Sequence, residues 1–157
     1  SSIRAAEVLD DLKKKYGQFD YVWKKYTDIG HGLPKEGVQE IWKFMLAKKR
    51  DPLPKRVVWE PSREYKRHFF WIKAAGGNGL VDVQREGNRF VVTGRAAGLT
   101  ILLNEKMIKF DQPVVVVDDA GKELFNGKVR LSLVALAETV DAKRDPEMWF
   151  PGWIELK

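Results

Sequence analysis

The spacing of hydrophobic residues changes once along this chain, and the change divides it into two parts. Up to about residue 50, apolar side chains recur every three to four residues, which is typical of amphipathic helices. From about residue 56 they alternate with polar residues, which is typical of strands. Between the two lies RDPLPK, whose Pro52 and Pro54 supply no N–H and favour extended conformations in the residues before them. The pattern therefore predicts a first part at 1–50, a proline-containing linker at 51–55 and a second part at 56–157.

The first part is predicted to be a helix, a strand and a second helix. Gly17 is placed to end the first helix, and aromatic residues alternate with others over 19–26, which favours a strand. The second helix is predicted to begin at Pro34, because the fixed φ of proline suits a first helical turn. Four apolar residues follow at helical spacing: Val38, Ile41, Trp42 and Met45. They predict one face of this helix packed on an apolar surface.

The second part is predicted to be mostly β. Strands are predicted at 56–60, 67–74, 80–85, 89–94, 99–104, 113–118 and 128–131. Turn-forming residues separate them, including DDAGK at 118–122 and NG at 126–127. A helical pattern at 132–140 and a closing strand within 148–156 complete this part. We expect an α+β chain whose second part is an antiparallel β-sandwich.

Composition excludes several classes of function. The sequence has no cysteine and only two histidines, His31 and His68, so disulfides, thiolate nucleophiles and Cys-based zinc sites are excluded, and we expect neither a metal nor a cofactor. His68 is expected at the surface or at the rim of the core, at the start of a strand. The net charge of +6 is spread along the chain rather than concentrated, so we expect no nucleic-acid partner. No apolar run approaches the roughly 20 residues of a membrane span.

The loop TDIGHGLP places His31 between two glycines, after the predicted strand and before the second helix. With its flanks, YTDIGHGLPKEGVQEIWKFMLAKKR resembles the last α/β unit of the α/β-hydrolase fold in esterase-like and peptidase-like members. In that fold the catalytic histidine lies on the loop after the final strand, and the resemblance implies that His31 is this residue. The linker, HFFWIK and the terminal FPGWIEL resemble, more loosely, the β-sandwich tail that some bacterial hydrolases carry after the catalytic domain.

The rest of the hydrolase triad is not found in this sequence. No G-x-S-x-G nucleophile elbow is present, and the family's acid is expected just upstream of Ser1. Ser62 and Ser132 lie in the β part without a strained strand-to-helix turn, and Asp28 is better explained as a residue that caps the loop. The resemblance thus implies a C-terminal fragment of a serine hydrolase, inactive alone, whose complete form acts on an ester or amide substrate.

Two other interpretations stay open. The β part is alternatively a non-catalytic module that binds carbohydrate or a protein partner through Trp59, Trp71, Trp149 and Trp153, although filling of a sandwich core explains these residues better. His31 is then a solvated loop residue. In either case a strand at 19–26 without a neighbour would expose an unpaired edge, so we expect residues 1–50 to pack on the β part or to self-associate.

Overall fold

The structure, a computed structural model, describes residues 2–16, 21–26, 29–30, 32, 34–61, 66–76 and 79–157. Within these residues the protein is α+β, with three helices and two mostly antiparallel sheets. The chain forms two compact units, Ser1–Lys49 and Arg50–Lys157, here called unit 1 and unit 2. No helix in the described part is long and apolar enough to cross a membrane.

In its described residues, unit 1 contains two helices, α1 (Ser2–Tyr16) and α2 (Lys35–Leu46). The carbonyl of Pro34 accepts the first hydrogen bond of α2, from the Val38 N–H at 3.2 Å, while Pro34 itself is extended. The strand predicted over 19–26 is wrong for the part that the structure describes, because residues 21–26 form no strand. A strand requires a neighbouring segment whose backbone N–H and C=O groups are unpaired. In the two helices, these groups form hydrogen bonds within the helix instead.

Unit 2 consists of nine strands and a third helix in the described residues. The strands are β1 (Arg56–Trp59), β2 (His68–Phe69), β3 (Ile72–Ala74), β4 (Val81–Glu86), β5 (Arg89–Gly94), β6 (Leu99–Leu103), β7 (Val114–Asp118), β8 (Glu123–Gly127) and β9 (Gly152–Glu155), and the helix is α3 (Leu133–Lys143). One sheet has the order β1-β4-β5-β7-β8 and the other β2-β3-β6-β9. Only β5 and β7 pair in parallel among these strands.

Both sheets contribute side chains to one hydrophobic core. The first sheet provides Val83, Phe90, Val92 and Val116, and the second provides Ile72, Leu99, Ile101 and Ile154. Trp71, fully buried in the turn between β2 and β3, packs edge-on to Phe90 with ring centroids 5.8 Å apart. The alternation of buried and exposed residues in β1 and β4 has the period expected for strands with one buried face.

Two of the strands predicted in unit 2 differ from those observed. The strand predicted at 128–131 is wrong, because β8 covers Glu123–Gly127 and includes the Asn126-Gly127 pair that was expected to form a turn. Pairing with β7 decides the position of β8. Val114 of β7 pairs with Gly127 of β8, so the chain turns at 118–122 and not at Asn126-Gly127. The strand predicted at 67–74 is divided into β2 and β3 by a turn at Phe70 and Trp71, where Phe70 has φ 48°. The helix predicted at 132–140 and the closing strand are confirmed as α3 and β9.

Candidate functional site

His31, the predicted catalytic residue, lies outside the described residues, and so does Asp28. Its neighbours Gly30 and Gly32 are described, and both are exposed. A Cβ added to Gly30 would meet no atom within 4 Å, and one added to Gly32 would meet only the Cγ2 of Ile29, at 3.9 Å. The described flanks of the loop are therefore uncrowded and open to solvent.

Polar contacts attach residues 21–26 to both helices of unit 1. The Tyr21 hydroxyl donates to the carboxylate of Asp10 in α1, and this hydrogen bond raises the pKa of Tyr21 to about 12. The Lys24 Nζ lies 2.5 Å from Oε1 of Glu40 in α2, and the Tyr26 hydroxyl donates to Oε2 at 3.3 Å. The hydrogen bond from Lys24 lowers the pKa of Glu40. These groups are exposed, so the ion pair adds little stability.

A groove of about 520 Å³ runs between residues 22–26 and α2. Its lining is mostly apolar and includes Val22, Trp23, Tyr26, Gly37, Ile41 and Phe44. A Cβ on Gly37 would lie 2.9 Å from Cγ of Pro34 and 3.1 Å from the Tyr26 hydroxyl, so glycine permits this close approach. Sequence reasoning missed the role of Gly37. The signal available was a glycine near the start of a predicted helix, where it is unfavourable unless something packs against it.

The apolar face of α2 is exposed rather than packed. Val38 is 39% exposed, Ile41 47%, Trp42 58% and Met45 58%, although their spacing predicts a buried face. Burying a side chain of this size fully is worth about 1.5–3 kcal/mol. A contiguous apolar face left in water is typical of a surface that contacts another chain segment or another molecule.

The other residues considered as site candidates have structural roles. The Ser132 hydroxyl caps α3, accepting a hydrogen bond from the Ala135 N–H at 3.2 Å, and Ser62 lies outside the described residues. Trp71 is buried, with its indole N–H donating to the Pro54 carbonyl at 2.8 Å. Trp59 is also buried, and its ring stacks on Phe69 at 5.7 Å. Neither tryptophan is available to a ligand in this structure.

Comparison with known proteins identifies no relative. No family model matches the chain, and no curated protein or solved structure is significantly similar to it. The chain's own residues and geometry are therefore the observations that bear on its function.

Proposed function

We propose that this chain is the C-terminal part of a serine α/β-hydrolase, with His31 as the catalytic histidine and with the nucleophile and acid on residues upstream of Ser1. The observation that carries the proposal is the exposed apolar face of α2, next to residues 21–26 that have no strand partner. Both features are expected of a terminal α/β unit separated from the rest of its sheet.

A terminal α/β unit is complete only when its strand is paired and the apolar face of its helix is covered. In an α/β fold, helices cover the faces of a mostly parallel sheet, and each strand pairs with neighbours. If residues 21–26 join such a sheet as its last strand, their backbone groups gain partners. The same sheet offers an apolar surface to the face of α2 that contains Ile41, Trp42 and Met45. These side chains are already about half covered, so full burial would add roughly half of the ~1.5–3 kcal/mol that a fully exposed side chain of this size gains.

The chemical role assigned to His31 also requires upstream residues. A histidine in a serine hydrolase removes the proton from the nucleophile hydroxyl and later returns it to the leaving group. General-base catalysis of this kind contributes about 10² to 10⁴ in rate, and a carboxylate must hold the imidazole in the correct tautomer. The 157-residue chain contains no nucleophile elbow, so we expect it to be inactive alone.

The test is to extend the chain with the residues encoded immediately upstream in its gene. We expect a G-x-S-x-G motif there, hydrolysis of p-nitrophenyl esters by the extended protein, and labelling of its serine by a fluorophosphonate. His31→Ala should lower kcat by roughly 10³- to 10⁶-fold. Gln39→Ala, an exposed polar position on α2, is the matched control and should keep full activity. An upstream frame without the motif, or an extended protein whose activity is unchanged by His31→Ala, would refute the proposal.

The alternative, a non-catalytic binding module in unit 2, has weaker support. Trp59 and Trp71 fill the core, whereas Trp149 is 44% exposed and Trp153 is half-buried. A saturable change in tryptophan fluorescence on titration with oligosaccharides would favour this alternative, and Trp149→Ala should then abolish the change.

A further inference from the structure

Unit 2 contains a cleft of about 480 Å³ that none of the functions above uses. The five basic or imidazole residues that line it are Arg50, Lys66, Arg67, His68 and Lys143. Among the described residues that line it, none is acidic. The cleft brings together the segment before β2, the end of α3 and the first residue of unit 2, which are distant in sequence. It therefore adds Arg50 and Lys143, which are distant in sequence, to the basic run Lys66-Arg67-His68.

Acidic partners neutralise only one of these cations in the described part of the chain. The two Nη atoms of Arg50 lie 2.6 Å from Asp145 and 3.1 Å from Glu147. The Lys66 ammonium lies over the ring of Phe69, 4.8 Å from its centroid, and Arg67 is exposed. Within the described residues, neither Lys66, Arg67 nor Lys143 has a carboxylate at ion-pair distance. As far as the described residues show, these three cationic groups are thus offered to an anion.

Lys143 is fixed at the wall of the cleft. Its Nζ donates to the Phe70 carbonyl at 2.5 Å. An ammonium group has three hydrogens, so this hydrogen bond does not use all of its donors. Burial, together with the charge of Lys66, lowers the pKa of Lys143 to about 8, and Asp145 opposes this shift. A partly desolvated ammonium interacts more strongly with an anion than one in bulk water.

His68 experiences the same positive environment. Burial, and to a smaller extent the charges of Lys143 and Lys73, lower its pKa to about 4, while Glu138 acts in the opposite direction. The imidazole is therefore neutral near pH 7, and it can donate one N–H to an anion without adding charge. An anion bound in the cleft would favour the protonated ring.

The apolar part of the cleft is formed by Phe69, Phe70 and Met148. Phe70 is the first residue of a two-residue turn between β2 and β3, with φ 48°, where glycine or asparagine is usual. Its ring packs edge-on against Phe69, with centroids 4.8 Å apart. Strained backbone conformations of this kind are concentrated at ligand sites. The turn thus presents an aromatic surface beside the cations.

We propose that this cleft binds a small organic carboxylate, with its anionic group held by Arg67, Lys143 and Lys66 and its apolar body on Phe69 and Phe70. The planar guanidinium of Arg67 matches the two oxygens of a carboxylate. The volume suits a compact ligand, and the aromatic wall suits a ring or short chain. The proposal concerns unit 2 alone and is independent of the role of His31.

The test is NMR titration of the whole chain with three probes that share an aromatic ring: phenylacetate, phenyl phosphate and phenylacetamide. We expect phenylacetate to saturate with a Kd below about 10 mM and to raise the pKa of His68. Phenylacetamide, the neutral analogue, should not bind. Equal binding of the amide, or no saturable shift with any probe, would overturn the proposal. Tighter binding of phenyl phosphate would overturn the assignment to carboxylates and identify a phosphate site instead.

Variants of the cleft separate binding from folding. Arg67→Ala and Lys143→Met should each weaken phenylacetate binding by about 10- to 100-fold, since each removes a charge-assisted hydrogen bond. Arg67 is exposed, so its replacement should leave the amide spectrum of unit 2 intact even if Lys143→Met disturbs the fold. Lys122→Ala, on the β7–β8 turn, is the matched control and should bind like the unmodified chain. Unchanged affinity in Arg67→Ala would contradict the proposed mode of binding.

Discussion

Two glycines of unit 2 allow steric crowding to be separated from backbone conformation. Gly94, at the end of β5, and Gly121, in the turn before β8, both have φ +83°. A Cβ on Gly94 would lie 2.4 Å from the carbonyl oxygen of Leu80, whereas one on Gly121 would meet nothing within 4 Å. We expect Gly94→Ala to destabilise unit 2 much more than Gly121→Ala.

The magnitude follows from the separate contributions. Alanine at positive φ costs about 1–2 kcal/mol at either position, and the smaller conformational freedom of the unfolded chain returns about 0.4–1 kcal/mol. Gly121→Ala should therefore cost about 1 kcal/mol. At Gly94 the Leu80 carbonyl must also move away, which weakens the 3.2 Å hydrogen bond that it accepts from the Arg95 N–H. Losing that bond and straining the β4–β5 pairing adds about 2–3 kcal/mol.

Urea unfolding at neutral pH, followed by tryptophan fluorescence and by circular dichroism, measures both variants. Trp71 is fully buried beside Phe90, so its emission reports on the core of unit 2. We expect the free energies of unfolding of the two variants to differ by about 2–3 kcal/mol, with similar m-values. A difference below about 0.5 kcal/mol would refute the reasoning, because the shared φ would then account for the whole effect.

Three further predictions concern buried or paired side chains. The folded pKa of His68, about 4, is below its ordinary value of 6.5, so its protonation favours the unfolded chain. The contribution of this group to the free energy of unfolding is complete above pH 6.5 and falls towards pH 4. Because the ring is half-buried, His68→Gln should reduce this loss of stability by about 1 kcal/mol. Identical acid unfolding curves for the variant and the unmodified chain would contradict this. Thr139→Val should cost about 1–3 kcal/mol, because the buried Phe150 N–H loses its 3.1 Å hydrogen bond to the Thr139 hydroxyl, and Thr139→Ser should restore part of the loss in thermal unfolding. Asp82→Asn should cost about 0.5–1 kcal/mol of stability, because it weakens the bidentate contact with Arg56, at 2.9 and 2.6 Å. A cost that does not decrease in 1 M salt would show that the contact is not ionic in origin.

The candidate sites show where sequence reasoning stops. His31 is a candidate catalytic residue on local pattern alone, because Gly-His-Gly follows an aromatic run and precedes an apolar helical stripe. Its catalytic role stays a prediction. The cleft of unit 2 is only partly visible in the sequence, because Arg67 belongs to the run Lys66-Arg67-His68, whereas Lys143 is separated from Arg67 by most of the β part. Their proximity depends on how β2 and α3 pack.

Sequence by itself determined the features that depend on neighbouring residues. The change of hydrophobic period separated helices from strands, the spacing in 132–140 determined α3, and the alternation in 80–85 and 89–94 determined β4 and β5. These signals are local, because a side chain's direction repeats with the backbone geometry of its own element.

Only the tertiary structure decided which elements meet. Pairing with β7 placed β8 at Glu123–Gly127 and extended Asn126-Gly127 into a strand, although the dipeptide itself favours a turn. Burial of Trp71 accompanies a turn at Phe70 that divides one predicted strand into two. In unit 1, residues 21–26 have strand-like composition but no strand, since composition supplies no partner for backbone hydrogen bonds. Pairing is a relation between distant segments, and periodicity within one segment contains no information about it.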